Sequence, residues 1–596
     1  MIRVADYVAE YIHWLGVRDV FMVSGGGVMF LTDGVAKHPG LRAVCNHHEQ
    51  ATAMAAVSYA KYREDLGVAY VTTGCGGTNA LTGLLGGWQD NVSCLFISGQ
   101  CKRKETIRNS GLRLRQFGVQ EADIIAVVES LTKYAVMVND PGKIAYHLDE
   151  AVHLARSGRP GPVWLDIPLD VQGALVDPEK LERFVPSGQE TEAAPTDAEL
   201  RHVGELLCGS KRPIIVAGQG IRLAKAIPSF RSFVEKHRIP VVASRLGIDL
   251  LPSDHPLFIG RIGTKGDRAG NFAVQNADLV LAVGSRFSVS STGHEYDKFA
   301  REAKIVVVDV DPVEHRKNTV RIDRFIHADA GDFLGKFRPP ETPDTAAWVK
   351  RCLGWKAKWP VCLPEYAEAK GGINLYYFVD RISRKMRNDS VIVSDAGSSF
   401  YVVSQGVQVR DGQRYITSGG QADMGYTLPA TIGISIARGG KEVLGVTGDG
   451  SFQMNIQELQ TVVHYDLPVK IFVWNNDGYL SIRASQSKFF EGRFIGTDKT
   501  SGVSFPEVEK IANAYGIKYF RVEESAKLDG VLDEVLEYPQ AVLCEVMCLR
   551  DQEVVPTAAS HRKDDGTMVS RPLEDMYPFL DRDEFRKEMI VKPVEE

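Results

Sequence analysis

The chain has 596 residues, 44% hydrophobic and 24% charged, with 70 basic against 76 acidic residues and a formal net charge of −6. That length exceeds one hydrophobic core and predicts about three or four domains, while the interspersed charges offer no field for nucleic acid or an anionic membrane. Nine cysteines without a CxxC pair or a Cys/His cluster predict reduced, buried thiols rather than a zinc site.

Asp6 and Glu10 stand where a secretory leader needs its apolar stretch, and no later run is long and apolar enough to span a bilayer, so a soluble, cytoplasmic protein is expected. Residues 1–175 alternate helical and strand patterns. Val4 to Leu15 reads as an amphipathic helix, Val20 to Val23 as a strand, and Gly25-Gly26-Gly27 as a tight turn into a helix. Ala43 to Asn46 reads as a short strand that meets His47-His48-Glu49-Gln50 and the small-residue helix ATAMAAVSYAKY. A carboxylate at so close a strand–helix junction is either part-buried with a raised pKa or a charge partner, or a first-turn Glu favoured by the helix dipole. Val68 to Thr73 leads into Gly74-Cys75-Gly76-Gly77-Thr78-Asn79, and Gly158 to Pro168 closes the region with a last strand.

Leu175 to Asp197 is polar and reads as a linker. A second domain, 195–340, opens with the strand Pro213 to Val216 and the turn Ala217-Gly218-Gln219-Gly220, a GxG without its third glycine and so a weak dinucleotide signal. Leu279 to Val283 and Ile305 to Asp309 add strands to this unit, and a Pro/Thr-rich stretch from Phe337 to Asp344 ends it.

A third domain, 365–555, holds the densest motifs. The strand Ser390 to Val393 ends on Ser394-Asp395-Ala396-Gly397-Ser398-Ser399, whose hydroxyls can donate to phosphate or cap the next helix. Gly419-Gly420-Gln421-Ala422-Asp423-Met424-Gly425 follows. The apolar run Val443 to Val446 then stops before Gly448-Asp449-Gly450, at the carboxyl end of a buried parallel strand where open α/β sheets bind ligands. Asn455 and Glu458 read as a capping box opening a helix, and the strand Val469 to Trp474 ends on Asn475-Asn476-Asp477-Gly478. Adjacent parallel strands place Asp449 and Asn476 side by side, two oxygen ligands suited to Mg²⁺. Residues 556–596 form a charged, Pro-bearing tail for which two readings stay open: a disordered end, or a lid docked through Met576, Tyr577, Phe579 and Leu580.

Taken together, GDG followed by a paired Asn, the GxMGxxLPA-like segment from Gly420 to Ala430, and the GPGxTN-like turn with Cys75 for Pro resemble the thiamine-diphosphate (ThDP) enzymes. These are the superfamily of acetolactate synthase and pyruvate decarboxylase. The resemblance implies three consecutive doubly wound α/β domains with mainly parallel sheets: pyrimidine-binding (1–175), central, and diphosphate-binding. It implies that Glu49 hydrogen-bonds N1′ of the aminopyrimidine, and that Asp449, the Asn476 side chain and the Gly478 carbonyl hold Mg²⁺. By the same likeness Gly450, Ser451 and Ser398 lie against the diphosphate, the Ala422 carbonyl accepts from the 4′-amino group, and Met424 sits under the two rings. Gln120 and Lys133 match substrate-pocket segments that read FQEAD and VTK in acetolactate synthases, with Val119 in place of the Phe. His47-His48 is similar to the proton-transfer pair of some decarboxylases. In the central domain Gly284-Ser285-Arg286-Phe287 resembles part of an FAD site, but Ser288-Val289-Ser290 replaces the family's Asp-Asp-Arg. FAD and a structural domain without nucleotide both stay open.

The reaction implied is decarboxylation of a 2-keto acid, pyruvate first, and ligation of the acyl unit to a carbonyl acceptor. No acid follows the Asn pair, since Tyr479-Leu480-Ser481-Ile482 carries no carboxylate, which favours ligation over aldehyde release. The segment Phe489 to Gly496 departs from acetolactate synthases and suggests a larger acceptor, such as a keto sugar on a nucleotide. The alternatives are a non-oxidative decarboxylase or C–C lyase and, in another class, a non-catalytic regulatory paralogue. In this family the halves of one site come from two subunits, so a homodimer or dimer of dimers is expected, with small molecules as the other partners.

Overall fold

The computed structural model describes residues 1–186, 193–341, 343–562 and 565–594. Part of the expected Leu175–Asp197 linker, and Lys563 and Asp564 of the tail, lie outside the described residues. Three six-stranded sheets follow one another along the chain, and every strand in them is parallel to its neighbours. In spatial order the first has strands Arg42–Cys45, Asp19–Met22, Gly67–Val71, Cys94–Gln100, Val163–Pro168 and Ala135–Met137. The second has Phe258–Arg261, Val241–Ala243, Pro213–Ala217, Leu279–Val283, Lys304–Asp309 and Arg324–His327, and the third has Arg414–Thr417, Val391–Ser394, Leu444–Gly448, Lys470–Asn475, Val542–Met547 and Lys518–Val522.

The strands are near-continuous apolar runs because helices cover both faces of each sheet. In Leu279–Val283 every residue is buried; Leu281 and Val283 enter the core on one face, Val280 and Ala282 the core on the other. Within each sheet the first and third units run 2-1-3-4-6-5 in chain order and the second runs 3-2-1-4-5-6. Both are doubly wound orders, each with a switch point at the carboxyl ends of its strands. The expected class of three doubly wound parallel units is therefore what the chain adopts. No described helix is long and apolar enough to cross a membrane.

Helix Glu49–Arg63 sits between the first and third units. Its run from Ala51 to Ala60 is buried without interruption, which explains why alanine dominates it: a larger side chain would hold the neighbouring backbones apart. It packs on helix Thr427–Ala437, where a Cβ on Gly433 would collide with the Ala55 carbonyl oxygen. Glu458, fully buried, adds a polar tie across the same junction. Its Oε1 accepts from the backbone N–H of His47 and His48 at 3.0 and 3.1 Å, and its Oε2 from Asn46 Nδ2 at 3.0 Å. This corrects the capping-box reading. Asn455 has φ −130° inside a kinked segment, and Glu458, just before helix Leu459–His464, ties another unit while also accepting from Thr461 Oγ1 of its own helix at 2.7 Å.

The tail docks on the central unit. Leu573 and Phe585 join its core, Glu574 accepts from Gln275 Nε2 at 2.6 Å, and Glu588 accepts from Trp355 Nε1 at 2.9 Å.

In the first sheet, Asp166 is buried on strand Val163–Pro168, and burial pushes its carboxyl up to about 7 although Ser98 Oγ and Gln100 Nε2 donate to it at 2.6 and 3.0 Å. The unfolded chain releases this proton at about pH 4, so the native state holds it across the interval between. The stability it contributes is complete below about pH 4 and is lost as pH rises through 7. Asp166→Asn should therefore flatten the fall of apparent Tm between pH 4.5 and 7.5 relative to the parent; parallel profiles for the two proteins would refute this.

Candidate functional site

The carboxyl edge of the third sheet gathers the residues singled out above. Strands Leu444–Gly448 and Lys470–Asn475 pair with Gly448 opposite Trp474, so Asp449 and Asn476 leave the sheet at one level. Asp449 is buried and its two oxygens accept from the backbone N–H of Gly450 and Gly478 at 2.7 and 2.9 Å. Burial pushes its carboxyl up to about 6. Next to it Asn476 Oδ1 is buried with no hydrogen-bond partner. A buried orphan oxygen beside a desolvated carboxylate is an unstable pairing unless a cation completes it. Both glycines are required here: Gly478 has φ +124°, and a Cβ on Gly450 would strike the Tyr479 ring.

Behind this edge lies Asp395, to which the sequence assigned no role. It is fully buried at the end of strand Val391–Ser394 and accepts from Thr447 Oγ1 at 2.8 Å, Ser451 Oγ at 2.6 Å, Ser399 Oγ at 2.8 Å and the Ala396 N–H at 2.7 Å. Burial raises its pKa, and the hydroxyls oppose that rise. Ser451 Oγ in turn accepts from the Gly425 N–H at 2.8 Å. The Ser451 hydroxyl is thus committed within the protein, and only its main chain is left to meet a ligand. Ser398 is buried in the first turn of helix Gly397–Gly406.

Gly425 fixes one end of the loop that carries Met424 and Ala422. The other end is held by Asp90 of the first unit, buried, which accepts from Lys61 Nζ at 2.6 Å and from the N–H groups of Gly419 and Gly420 at 2.8 and 2.7 Å. Between these anchors Ala422 adopts φ +55°, a conformation costly for a residue with a Cβ and kept only where its surroundings impose it. Met424 is half-buried.

Glu49 begins its helix and is buried; its Oε2 accepts from Asn79 Nδ2 at 2.9 Å. The expected charge partner is therefore a neutral amide from the GCGGTN turn. His48 caps the same helix, its Nδ1 accepting from the Gln50 N–H at 3.1 Å, while His47 is exposed. Gln120 is exposed at φ +59°, on a loop pressed so closely on Gly74 that a Cβ there would meet the Gln120 carbonyl. Lys133 Nζ donates to the Ser157 carbonyl at 2.6 Å.

A cavity of about 1270 Å³ opens at the carboxyl ends of the central strands, where Gln219, Gly220, Gly284 and Ser285 flank the switch point. It extends past Ser244–Leu246 and Phe400 to Gly420 and Ala422 of the third unit, and Lys133 lies on its rim. Glu49, Gln120, His47 and Asp449 are not among its lining residues. Asp449 opens instead on a cavity of about 300 Å³. One chain thus brings Asp449, Asn476, Gly478, Gly450 and Ser451 together, holds Ala422 on the large cavity, and keeps the Glu49 carboxylate bonded within its own unit. Among the described residues no cluster of three His, Cys, Asp or Glu side chains forms a metal cage, so a cation here needs amide and carbonyl oxygens.

Three family profiles match in order: "Thiamine pyrophosphate enzyme, N-terminal TPP binding domain" over 2–127, the central domain of the same enzymes over 200–337, and their C-terminal TPP binding domain over 395–546. Among similar proteins, the acetolactate synthase large subunit of Lactococcus lactis is 32% identical over 558 residues, 93% of each chain. That of Corynebacterium glutamicum is 32% identical over 592 residues, 97% of this chain and 92% of its own. The large subunit of Escherichia coli acetolactate synthase isozyme 2 is 30% identical over 562 residues, 94% of this chain and 98% of its own.

Removing the Ser451 hydroxyl cuts the link between Asp395 and Gly425. Ser451→Ala should weaken ThDP binding about tenfold, the equivalent of one charge-assisted hydrogen bond, with little change in Tm. Titration calorimetry of the cofactor measures it, and unchanged affinity would show that the link plays no part in holding the loop.

Proposed function

The chain belongs to the thiamine-pyrophosphate enzymes, with all three of their domains in order, and we propose that it decarboxylates a 2-keto acid, pyruvate first, and ligates the acyl unit to a second carbonyl compound. The observation that carries the choice of ligation over aldehyde release is the turn after Gly478. There Tyr479 packs its ring on Phe505 with centroids 5.4 Å apart, and residues 479–482 supply no carboxylic acid to protonate the product of decarboxylation. The acetolactate synthase relatives support the same reading.

ThDP, when bound, supplies the electron sink for the charge that decarboxylation leaves behind. The chain's own residues do the rest. Asp449, the Asn476 Oδ1 and the Gly478 carbonyl would hold Mg²⁺; the orphaned amide oxygen and the desolvated carboxylate fit a hard cation that keeps its remaining sites for phosphate and water. The Gly478 carbonyl also accepts from the Leu480 N–H at 3.1 Å, so one of its lone pairs is left for the metal. Gly450 and the main chain of Ser451, with Ser398, would receive the diphosphate. The Ala422 carbonyl, aimed by a strained backbone, would accept from the 4′-amino group, and Met424 would support the rings. Glu49 would hold a proton against ring nitrogen N1′, oriented by Asn79. Because the halves of one site come from two subunits in the family this chain belongs to, we assign Glu49 to the site of a second copy, in a homodimer or dimer of dimers.

Gln120, on the exposed loop, would meet substrate. His48 uses Nδ1 on its helix cap, while His47 is exposed and would be the member of the pair that transfers protons. The central cavity suits a dinucleotide such as FAD at the switch point, and its volume also admits an acceptor larger than pyruvate, such as a keto sugar on a nucleotide.

Incubation with ThDP, Mg²⁺ and pyruvate should release CO₂ at a rate that depends on an added second carbonyl compound, with a new C–C bond in the product. Acetaldehyde formed without any acceptor would replace this reading with that of a simple decarboxylase. Glu49→Gln should retain bound ThDP and lose activity at least 10²-fold, as expected for a group that controls proton transfer; full activity would remove Glu49 from the mechanism.

A further inference from the structure

Arg245 and Lys265 line the central cavity at its border with the third unit. Arg245, in the loop after strand Val241–Ala243, lies with its guanidinium 4.0 Å from the Phe400 ring centroid and 5.6 Å from that of Tyr401. Lys265, in the loop after strand Phe258–Arg261, places Nζ 5.5 Å from the same Tyr401 ring. Two basic groups from adjacent strand ends therefore flank one aromatic ring of helix Gly397–Gly406, and all four side chains face the cavity.

Among the described residues neither cation has a carboxylate within ion-pair distance. Lys265 Nζ reaches only the Val554 carbonyl, at 3.4 Å. The opposite charges that act on them from further away are engaged elsewhere, Asp90 with Lys61 and Glu553 with the Tyr577 hydroxyl. Lys488 adds like charge near Lys265, and burial pushes the Lys265 ammonium down to about 8 and lowers Arg245 from its usual range. By contrast Arg159, on the same cavity, is paired with Asp311 at 2.9 Å and Glu314 at 2.7 Å. Desolvating two neighbouring cations without an anion is costly, and the cavity is where the anion can come from.

We propose that Arg245 and Lys265 form a seat for the phosphate of a ligand that enters the central cavity. Phosphate, rather than carboxylate, matches the charge: a dianion balances both groups, and the guanidinium fork suits its oxygens. The same cavity also presents the hydroxyl-bearing turn Ser288, Ser290 and Ser291, with Ser288 Oγ 2.9 and 3.2 Å from the other two hydroxyls. The seat lies on the cavity that joins the central switch point to Ala422. A phosphate there belongs either to a nucleotide held at the switch point or to a phosphorylated carbonyl acceptor reaching toward the reaction centre. The second source rests on the carboligase reading; the first does not.

The test compares ligands that differ by phosphate alone. Holoenzyme saturated with ThDP and Mg²⁺ is titrated by calorimetry with ADP against adenosine, and with dihydroxyacetone phosphate against dihydroxyacetone. The parent should prefer at least one phosphorylated partner by about tenfold or more, and Arg245→Gln and Lys265→Gln should each erase most of that preference while leaving ThDP affinity and Tm unchanged. Arg245→Lys, which keeps the charge, should restore part of it and confirms that a folded variant is being read. Loss confined to ADP assigns the seat to a nucleotide, and loss confined to dihydroxyacetone phosphate assigns it to the acceptor. A parent with no preference for either phosphate, or variants that keep it, would overturn the proposal. CO₂ release from pyruvate, assayed in parallel, reports separately on the carboligase reading.

Discussion

The carboxyl edge of the third sheet depends on one carboxylate, fully buried and bonded only to groups of the chain itself. Asp395 sits at the end of one strand and binds hydroxyls from the end of the next, from the turn after it and from the helix above. A buried acid with that many donors is held as a rigid node, since losing any one of them leaves a polar group unsatisfied in a low-dielectric setting. Through Ser451 the node reaches the Gly425 N–H, and so fixes the loop that carries Met424 and Ala422 relative to Asp449. The elements expected to hold the two ends of a single cofactor are thereby positioned by one internal network rather than by the cofactor itself.

A second constraint is imposed between units. Helix Glu49–Arg63 can lie against helix Thr427–Ala437 only because small residues face each other at Ala55 and Gly433. Glu458 then satisfies the backbone N–H groups of His47 and His48 just before that helix starts. These are donors a helix entry otherwise leaves unpaired, and the side chain that takes them comes from the unit that also holds Asp449. The strand–helix junction bearing Glu49 is consequently braced by the diphosphate-binding unit of its own chain, while its carboxylate stays bonded to Asn79. Asp90 repeats the logic further along: a first-unit carboxylate pins the Gly419–Gly420 end of the third unit's loop.

How much of this could be read beforehand follows the range of each interaction. Parallel strands, their order of appearance and the meeting of GDG with NNDG were legible because they depend on local apolar runs and on the adjacency of consecutive strands. Glu49 stood out because only residues 46–48 separate the end of strand Arg42–Cys45 from the start of its helix. Asp395 did not, since an acid after a strand looks the same whether it turns the chain or collects hydroxyls from residues more than fifty positions away. Glu458 was misread for a related reason: a local capping partner was available in sequence, whereas three groups that donate to it, on Asn46, His47 and His48, lie 410 to 412 positions upstream. Arg245 and Lys265 carried no local signal, because the absence of a counter-ion is a property of the folded surroundings alone.

That last contrast bears on how the two halves of the molecule divide the work. Asp449, Asp395 and Asp90 themselves are each satisfied by donors of the chain, so this edge is organised by internal hydrogen bonds. The central cavity is organised the other way. Its glycine-flanked switch point and its unpaired cations are arranged around a volume the protein does not fill, and Arg245 and Lys265 pack on Phe400 and Tyr401 of the diphosphate-binding unit rather than on an acid. Aromatic faces stabilise such cations only weakly beside a full ion pair, which leaves most of their charge free for a ligand. If the seat proposed above takes the phosphate of the second reactant, specificity for that reactant is set where the central and third units meet, by the charge of Arg245 and Lys265, whereas the network around Asp395 forms within the chain alone.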